Sequence, residues 1–248
     1  MTTKLKKGEM IQVEINKLVD SFKEYLLNSE LKDNIAKIIL FGSHAKGVGS
    51  PESDVDILIF TIDGSGTEEA IMNKVYDFMI EHNVPLEVLI SGIDELLLHQ
   101  NYFIYNITHY GMEIYSIEKE KIKAAMLKDI KDLAEEYFES AEEVLRRNRV
   151  RLAVDAAYNA AELAAKGLIL LKQDDLPGSH GGMVSLFGQL YVKTKEVGRE
   201  IGRGLNTALK LRNMARYKPD ALLSEEDAKD VLDLAERVIE TLSKRIDD

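Results

Sequence analysis

Two stretches hold the residue types that chemistry on phosphates needs. In the first, the apolar run Lys37-Ile-Ile-Leu-Phe41 stops at Gly42-Ser43; in the second, Ser53-Asp-Val-Asp56 opens a run that ends at Phe60. A short β-branched run halted by glycine reads as a strand feeding a turn. Gly42 lets the main chain approach a ligand closely, and a helix opening at Ser43 or His44 would present free N–H groups to a phosphate. Asp54 and Asp56 are two residues apart, so on a strand they leave one face while Val55, Ile57 and Ile59 leave the other. Two carboxylates side by side near a glycine turn make an oxygen site for Mg²⁺ bridging nucleotide phosphates.

These residues need a scaffold, and the pattern supplies one. Lys7 to Ser29 carries an apolar stripe at helical spacing, and Glu68 and Glu69 follow a Thr67 N-cap in a helix that Asn83 closes near His82. Pro85 to Ile90 reads as a third strand, Ile93 to Tyr110 as a helix, and Gly111 to Tyr115 as a short last strand. Past Ser116 the strand signals stop. Helices are expected over about 118–147, 149–171, 183–195, 197–217 and 224–246, the second rich in alanine, which lets helices approach closely. Tyr102, Phe103, Tyr105 and Tyr110 read as core and domain-contact residues, and His99 and His109 as surface or interface residues.

Composition bounds the rest. The chain has 248 residues, 45% hydrophobic and 30% charged, as in a soluble globular protein, and it has no cysteine for a disulfide, a thiol nucleophile or a Cys-based zinc site. The start of the chain does not read as a signal peptide and no run approaches a membrane span, so a cytoplasmic location is expected. A formal net charge of −11 argues against broad nucleic-acid binding by the whole surface, while leaving room for a local basic patch.

Gly42, Ser43, Ala45, Gly47, Ser53, Asp54 and Asp56 together resemble the DNA polymerase β superfamily of nucleotidyltransferases, and its minimal, antitoxin-like branch in particular. The basic residue usual after the Gly-Ser is His44 here, with Lys46 nearby. The resemblance implies nucleotide binding by Gly42, Ser43, Lys46 and Ser53, and a metal site of Asp54 and Asp56. It also implies a third carboxylate on the next strand, to complete that site or act as base. Glu87 occupies the position in place of the usual Asp, and the competing reading is an edge-strand Glu in water.

In the second half, Ser179-His-Gly-Gly-Met183 and Lys210-Leu-Arg-Asn-Met-Ala-Arg-Tyr217 resemble a HEPN domain, the nucleotide-binding helical bundle of higher eukaryotes and prokaryotes. Ribonuclease members carry an Arg, a polar residue and then a His; Arg212 and Asn213 match, but Tyr217 stands at the His position. Without that imidazole the usual proton-transfer group is missing, and RNA cleavage is disfavoured. The expected fold is α+β: a nucleotidyltransferase-like mixed sheet with flanking helices over 1–116, then an all-α five-helix HEPN-like bundle over 117–248. The expected function is Mg²⁺- or Mn²⁺-dependent transfer of an NMP group, AMP from ATP foremost, to a hydroxyl on a protein or small molecule. A toxin–antitoxin setting and a homodimer are implied; the alternatives are a weakened nucleotide sensor and, behind it, a HEPN ribonuclease.

Overall fold

The structure, a computed structural model, describes residues 7–50, 53–62, 66–98, 102–174 and 176–246. Two compact units divide the chain, Met1–Lys123 and Ala124–Asp248.

In the first unit, helix α1 (Lys7–Leu27) leads into strand β1 (Ile35–Phe41), the single helical turn α2 (Gly42–Ala45) and strand β2 (Val55–Thr61). Helix α3 (Glu68–His82), strand β3 (Leu86–Gly92), helices α4 (Glu95–Leu98) and α5 (Tyr102–Tyr110), and strand β4 (Met112–Ser116) follow. The sheet is mixed, in the order β3-β2-β1-β4, with β2 and β3 parallel and the β1 pairings antiparallel. Alternation then decides which residue goes where. Ile38, Leu40, Val55, Ile57 and Ile59 pack with Val19, Phe22 and Leu26 of α1 and Ile71, Val75 and Phe78 of α3. Even-numbered β2 residues therefore leave the opposite face, where Phe41 meets Phe103 of α5 edge to face at 6.0 Å.

Several local expectations change. The expected helix 93–110 is two helices, α4 and α5, and His99 lies outside the described residues. Tyr102, Phe103 and Tyr110 are not core residues: they stand 78%, 53% and 77% exposed, because the buried face of α5 is Ile104 and Ile107. Thr67 precedes α3 but its hydroxyl makes no cap bond, whereas Asn83 ends the helix in the left-handed region (φ 52°) that Asn tolerates.

The second unit contains α6 (Lys119–Arg146, which begins just before the division), α7 (Val150–Lys172), α8 (His180–Phe187), a π-helical turn (Gly188–Val192), α9 (Arg199–Tyr217) and α10 (Glu225–Ile246). Thirteen residues of α7 are buried, six of them alanines, so the small side chains form the centre of this bundle. On α6 the buried line runs through Met126, Ile130, Ala134 and Ala141; Leu133 and Tyr137 fall outside it, 40% and 37% exposed. Ser224 caps α10 reciprocally: its hydroxyl accepts from Asp227 N–H at 3.1 Å, and Asp227 accepts from Ser224 N–H at 2.7 Å.

Arg151 near the start of α7 acts as a clamp. Its guanidinium donates to the carbonyls of Met214, Ala215, Lys218, Pro219 and Ala221, at 2.7–3.3 Å. They lie at and just beyond the end of α9, where a helix leaves carbonyls over, and the cation also opposes the negative pole of that helix. Arg151→Ala is expected to lower the unfolding free energy by about 1.5–3 kcal/mol, read as a shift of the urea midpoint without a change of slope.

Candidate functional site

The register of the sheet assembles the first site. Across β2, Asp56 pairs with Phe41 on β1 and with Glu87 on β3, so Asp56 and Glu87 share the face opposite α1 and α3. The residue after Phe41 is Gly42, with φ +70°. A Cβ there would stand 1.8 Å from Asp56 Oδ2. Gly42 thus does two jobs. It takes a left-handed conformation that side chains resist, and it leaves the space that the Asp56 carboxylate fills.

Asp56 is held above the usual carboxylate range. Its partial burial is the largest cause; the charges of Glu87 and Asp54 and a hydrogen bond with Glu87 add to it, and His44 opposes. Three carboxylates therefore feel one another at one end of the sheet. Asp54 precedes β2 and is exposed, and Glu87, on the edge strand, is exposed as well. Glu87 is an edge-strand Glu that meets water, and it faces the same side of the sheet as Asp56, whose proton affinity it raises.

Among the described residues no three His, Cys, Asp or Glu side chains already stand as a closed metal cage. The donor set nonetheless suits a hard divalent cation: it is all oxygen, it is acidic, and its central carboxylate has room cleared beside it.

The loop between α2 and β2 is organised by a residue whose role spacing did not disclose. His44 is buried, 1% exposed, and its Nε2 lies 3.1 Å from the Ser53 carbonyl oxygen. Gly49 packs against the ring so closely that a Cβ would fall 2.3 Å from Nδ1. His44 is therefore an internal strut rather than a surface cation, and it ties the turn to the residue before Asp54. Ser53 Oγ accepts from Ser50 N–H at 3.0 Å, while Lys46 is exposed beside Gly47, whose φ is +68°.

In the second unit, Arg212 and Asn213 come together and Tyr217 joins them. Arg212 is 5% exposed; it donates to Asn213 Oδ1 at 3.2 Å and lies 5.8 Å from the ring centroids of both Tyr158 and Tyr217. Asp155 stands 3.7 Å from its Nε, close enough for attraction but too far for a hydrogen bond, so that N–H has no acceptor. Asp155 spends its oxygens on Arg216, at 2.5 and 3.1 Å. The Tyr158 hydroxyl is also buried without a partner; burial, then the charge of Glu162, pushes its ionisation well above the usual range. Glu162 in turn meets His180 Nδ1 at 2.6 Å.

Asp155, Tyr158 and Glu162 were not among the residues singled out from the sequence. Their signal was present: with Arg151 they sit at 151, 155, 158 and 162, a polar line at helical spacing on an alanine-rich helix.

Two family patterns match the chain: a nucleotidyltransferase domain over residues 15–138 and a HEPN domain over 127–246. A Methanocaldococcus jannaschii protein named as a protein adenylyltransferase, MJ0141, is 31% identical over 102 residues, which are 41% of this chain and all of that relative. A second protein of that organism, named as a toxin, MJ0605, is 31% identical over 132 residues, 50% of this chain and 97% of its own length. The crystal structure of TT1696 from Thermus thermophilus aligns with a TM-score of 0.42 at 22% identity, over 48% of this chain and 96% of that one.

Since the folded state raises Asp56, the stability it contributes is present below the ordinary Asp value and is lost as the pH climbs through the folded one. In metal-free protein, Asp56→Asn is expected to remove that loss: thermal melts from about pH 4 to 7 should show the variant gaining on wild type as the pH rises.

Proposed function

The chain belongs to the nucleotidyltransferase-domain family and carries a HEPN domain behind it, and we propose that it moves AMP from ATP onto a hydroxyl of a protein or a small molecule. The observation that carries this reading is the register Phe41–Asp56–Glu87 with Gly42 against the Asp56 carboxylate, which collects three acids beside a tight turn. The relative named as a protein adenylyltransferase supports AMP as the group and a protein as the acceptor, a tyrosine hydroxyl among the candidates.

The acceptor oxygen attacks the α-phosphorus, the bond from that phosphorus to the bridging oxygen breaks, and pyrophosphate leaves with the electron pair. Glu87, beside Asp56 in the sheet register and open to solvent, takes the proton of the attacking hydroxyl. Asp54 and Asp56 would hold a divalent cation, Mg²⁺ or Mn²⁺, which when bound would supply positive charge for the phosphates. Gly42 and Ser43 contribute main-chain N–H groups and a hydroxyl toward the triphosphate, with Lys46 at the rim; His44 and Ser53 keep the connecting loop in place. Positioning and charge do the catalytic work, as phosphoryl-type transfers require. The working assembly is a pair of chains in the cytoplasm.

A second reading rests on Glu87 in place of the usual Asp: a nucleotide sensor that binds without transferring. The two part company in one assay. With α-labelled ATP, CTP, GTP and UTP, Mg²⁺ and host lysate, wild type should move label to an acceptor from ATP. Asp54→Ala and Asp56→Ala should each lower that rate on the order of 10²–10³-fold. Binding of ATP with no label transferred by wild type would support the sensor, and Glu87→Asp is then the variant to assay.

A further inference from the structure

The exposed aromatic side chains of α5 stand beside the acidic site of the first unit. Phe41 pairs with Asp56, so its ring leaves the same face of the sheet as the Asp56 carboxylate. Phe103, in the first turn of α5, meets that ring edge to face at 6.0 Å and is itself exposed. The far end of the helix is anchored to the same strand. A Cβ on Gly111 would fall 2.4 Å from Ile39 Cγ2 and 3.1 Å from the Leu40 carbonyl oxygen. Both ends of α5 therefore rest on the last residues of β1, next to the Gly42 turn.

With Ile104 and Ile107 turned inward, Phe103, Asn106 and Tyr110 form one flank of the helix at i, i+3 and i+7. Two rings on this flank leave apolar area in contact with water. Asn106, between them, has a defined orientation. Its Nδ2 donates to the Tyr102 carbonyl at 2.9 Å, and the reversed amide would set oxygen against oxygen. Oδ1 is thus the end that remains to meet a ligand, and it can only accept.

We propose that this flank is the nucleobase site: Phe103 stacks on the base, and Asn106 Oδ1 accepts a hydrogen bond from an exocyclic amino group. The inference rests on the transferase reading, with the triphosphate at Gly42 and Ser43 and the cation at Asp54 and Asp56. The order of the strands then sorts the substrates. Glu87, on β3, lies to one side of Asp56 and opens toward the acceptor hydroxyl; Phe41 and Phe103 lie on the other, where the nucleoside goes. One strand spacing, about 4.8 Å, separates β1 from β2, a gap that a ribose bridges. Stacking tolerates any base, but an acceptor oxygen does not. Adenine and cytosine carry an amino group where guanine and uracil carry a carbonyl, so Oδ1 favours the first two and repels the others. The larger purine face then gives ATP the advantage over CTP.

The test titrates the full chain by calorimetry, with Mg²⁺, against the α,β-methylene analogues of the four NTPs, which cannot transfer their nucleotide, and against inorganic tripolyphosphate. Wild type should bind the ATP analogue at least about tenfold more tightly than the GTP analogue. Phe103→Ala should weaken the ATP analogue about tenfold and leave tripolyphosphate unchanged. Asn106→Ala should bring the ATP and GTP analogues to within about threefold of each other. Because the chain has no tryptophan, Phe103→Trp adds a lone reporter whose indole emission should change as the ATP analogue stacks on it. Tyr76→Trp, exposed on α3 at the opposite face of the sheet, should not respond. Circular dichroism checks the fold of each variant; should Phe103→Ala not fold, the indole signal and the Asn106→Ala ratio decide. Nucleotide binding with a silent indole at position 103, or with an ATP-to-GTP ratio that Asn106→Ala leaves unchanged, overturns the base site and leaves the transferase reading standing. Failure of wild type to bind either the ATP analogue or tripolyphosphate overturns both.

Discussion

Like charges crowded at one end of a sheet are the constraint around which the first unit is built. Asp56 sits on an inner strand, flanked by Phe41 on one side and Glu87 on the other, with Asp54 two residues away. Left to itself this arrangement is unfavourable, and the raised proton affinity of Asp56 is the sign of it. It survives because the strands that carry it are bound into a core containing Ile38, Leu40, Ile57 and Ile59 on the opposite side, all fully buried. Hydrophobic burial on one face holds repelling charge on the other. A divalent cation in such an all-oxygen, acidic setting would turn the repulsion into attraction.

Glycine and histidine then decide how that charge meets the turn. Gly42 yields its side-chain space to the Asp56 carboxylate, and Gly49 yields its own to the His44 ring. His44, bonded to the Ser53 carbonyl, fixes the loop at the point where the acidic strand begins. The buried imidazole therefore links the turn directly to the residue before Asp54.

The second unit uses another economy. Alanines along the buried face of α7 let its neighbours approach, and Tyr158 and Glu162 among them end up inside the bundle. Arg151 holds the end of α9, Asp155 holds Arg216, and Tyr158 stands between Arg212 and His180. Arg212 and Tyr158 each retain an unsatisfied buried polar atom, so the cluster is not one that packing alone would have chosen.

Much of this was legible in the chain itself. The Gly-Ser turn, the Asp-x-Asp strand, the carboxylate on the next strand and the change to an all-helical second half are local patterns, and local patterns follow from backbone periodicity and turn chemistry. The strand pairing, the burial of His44 and the contact of Gly42 with Asp56 depend on register, which residues remote in sequence settle together. The same holds for aromatic Tyr102 and Tyr110, whose composition suggested a core while α5 turned its isoleucines inward instead. The sequence by itself determined the order of the elements and the residue types each of them carries. Only the tertiary structure decided which of them touch, because contact between distant residues is set by how sheets and helices pack.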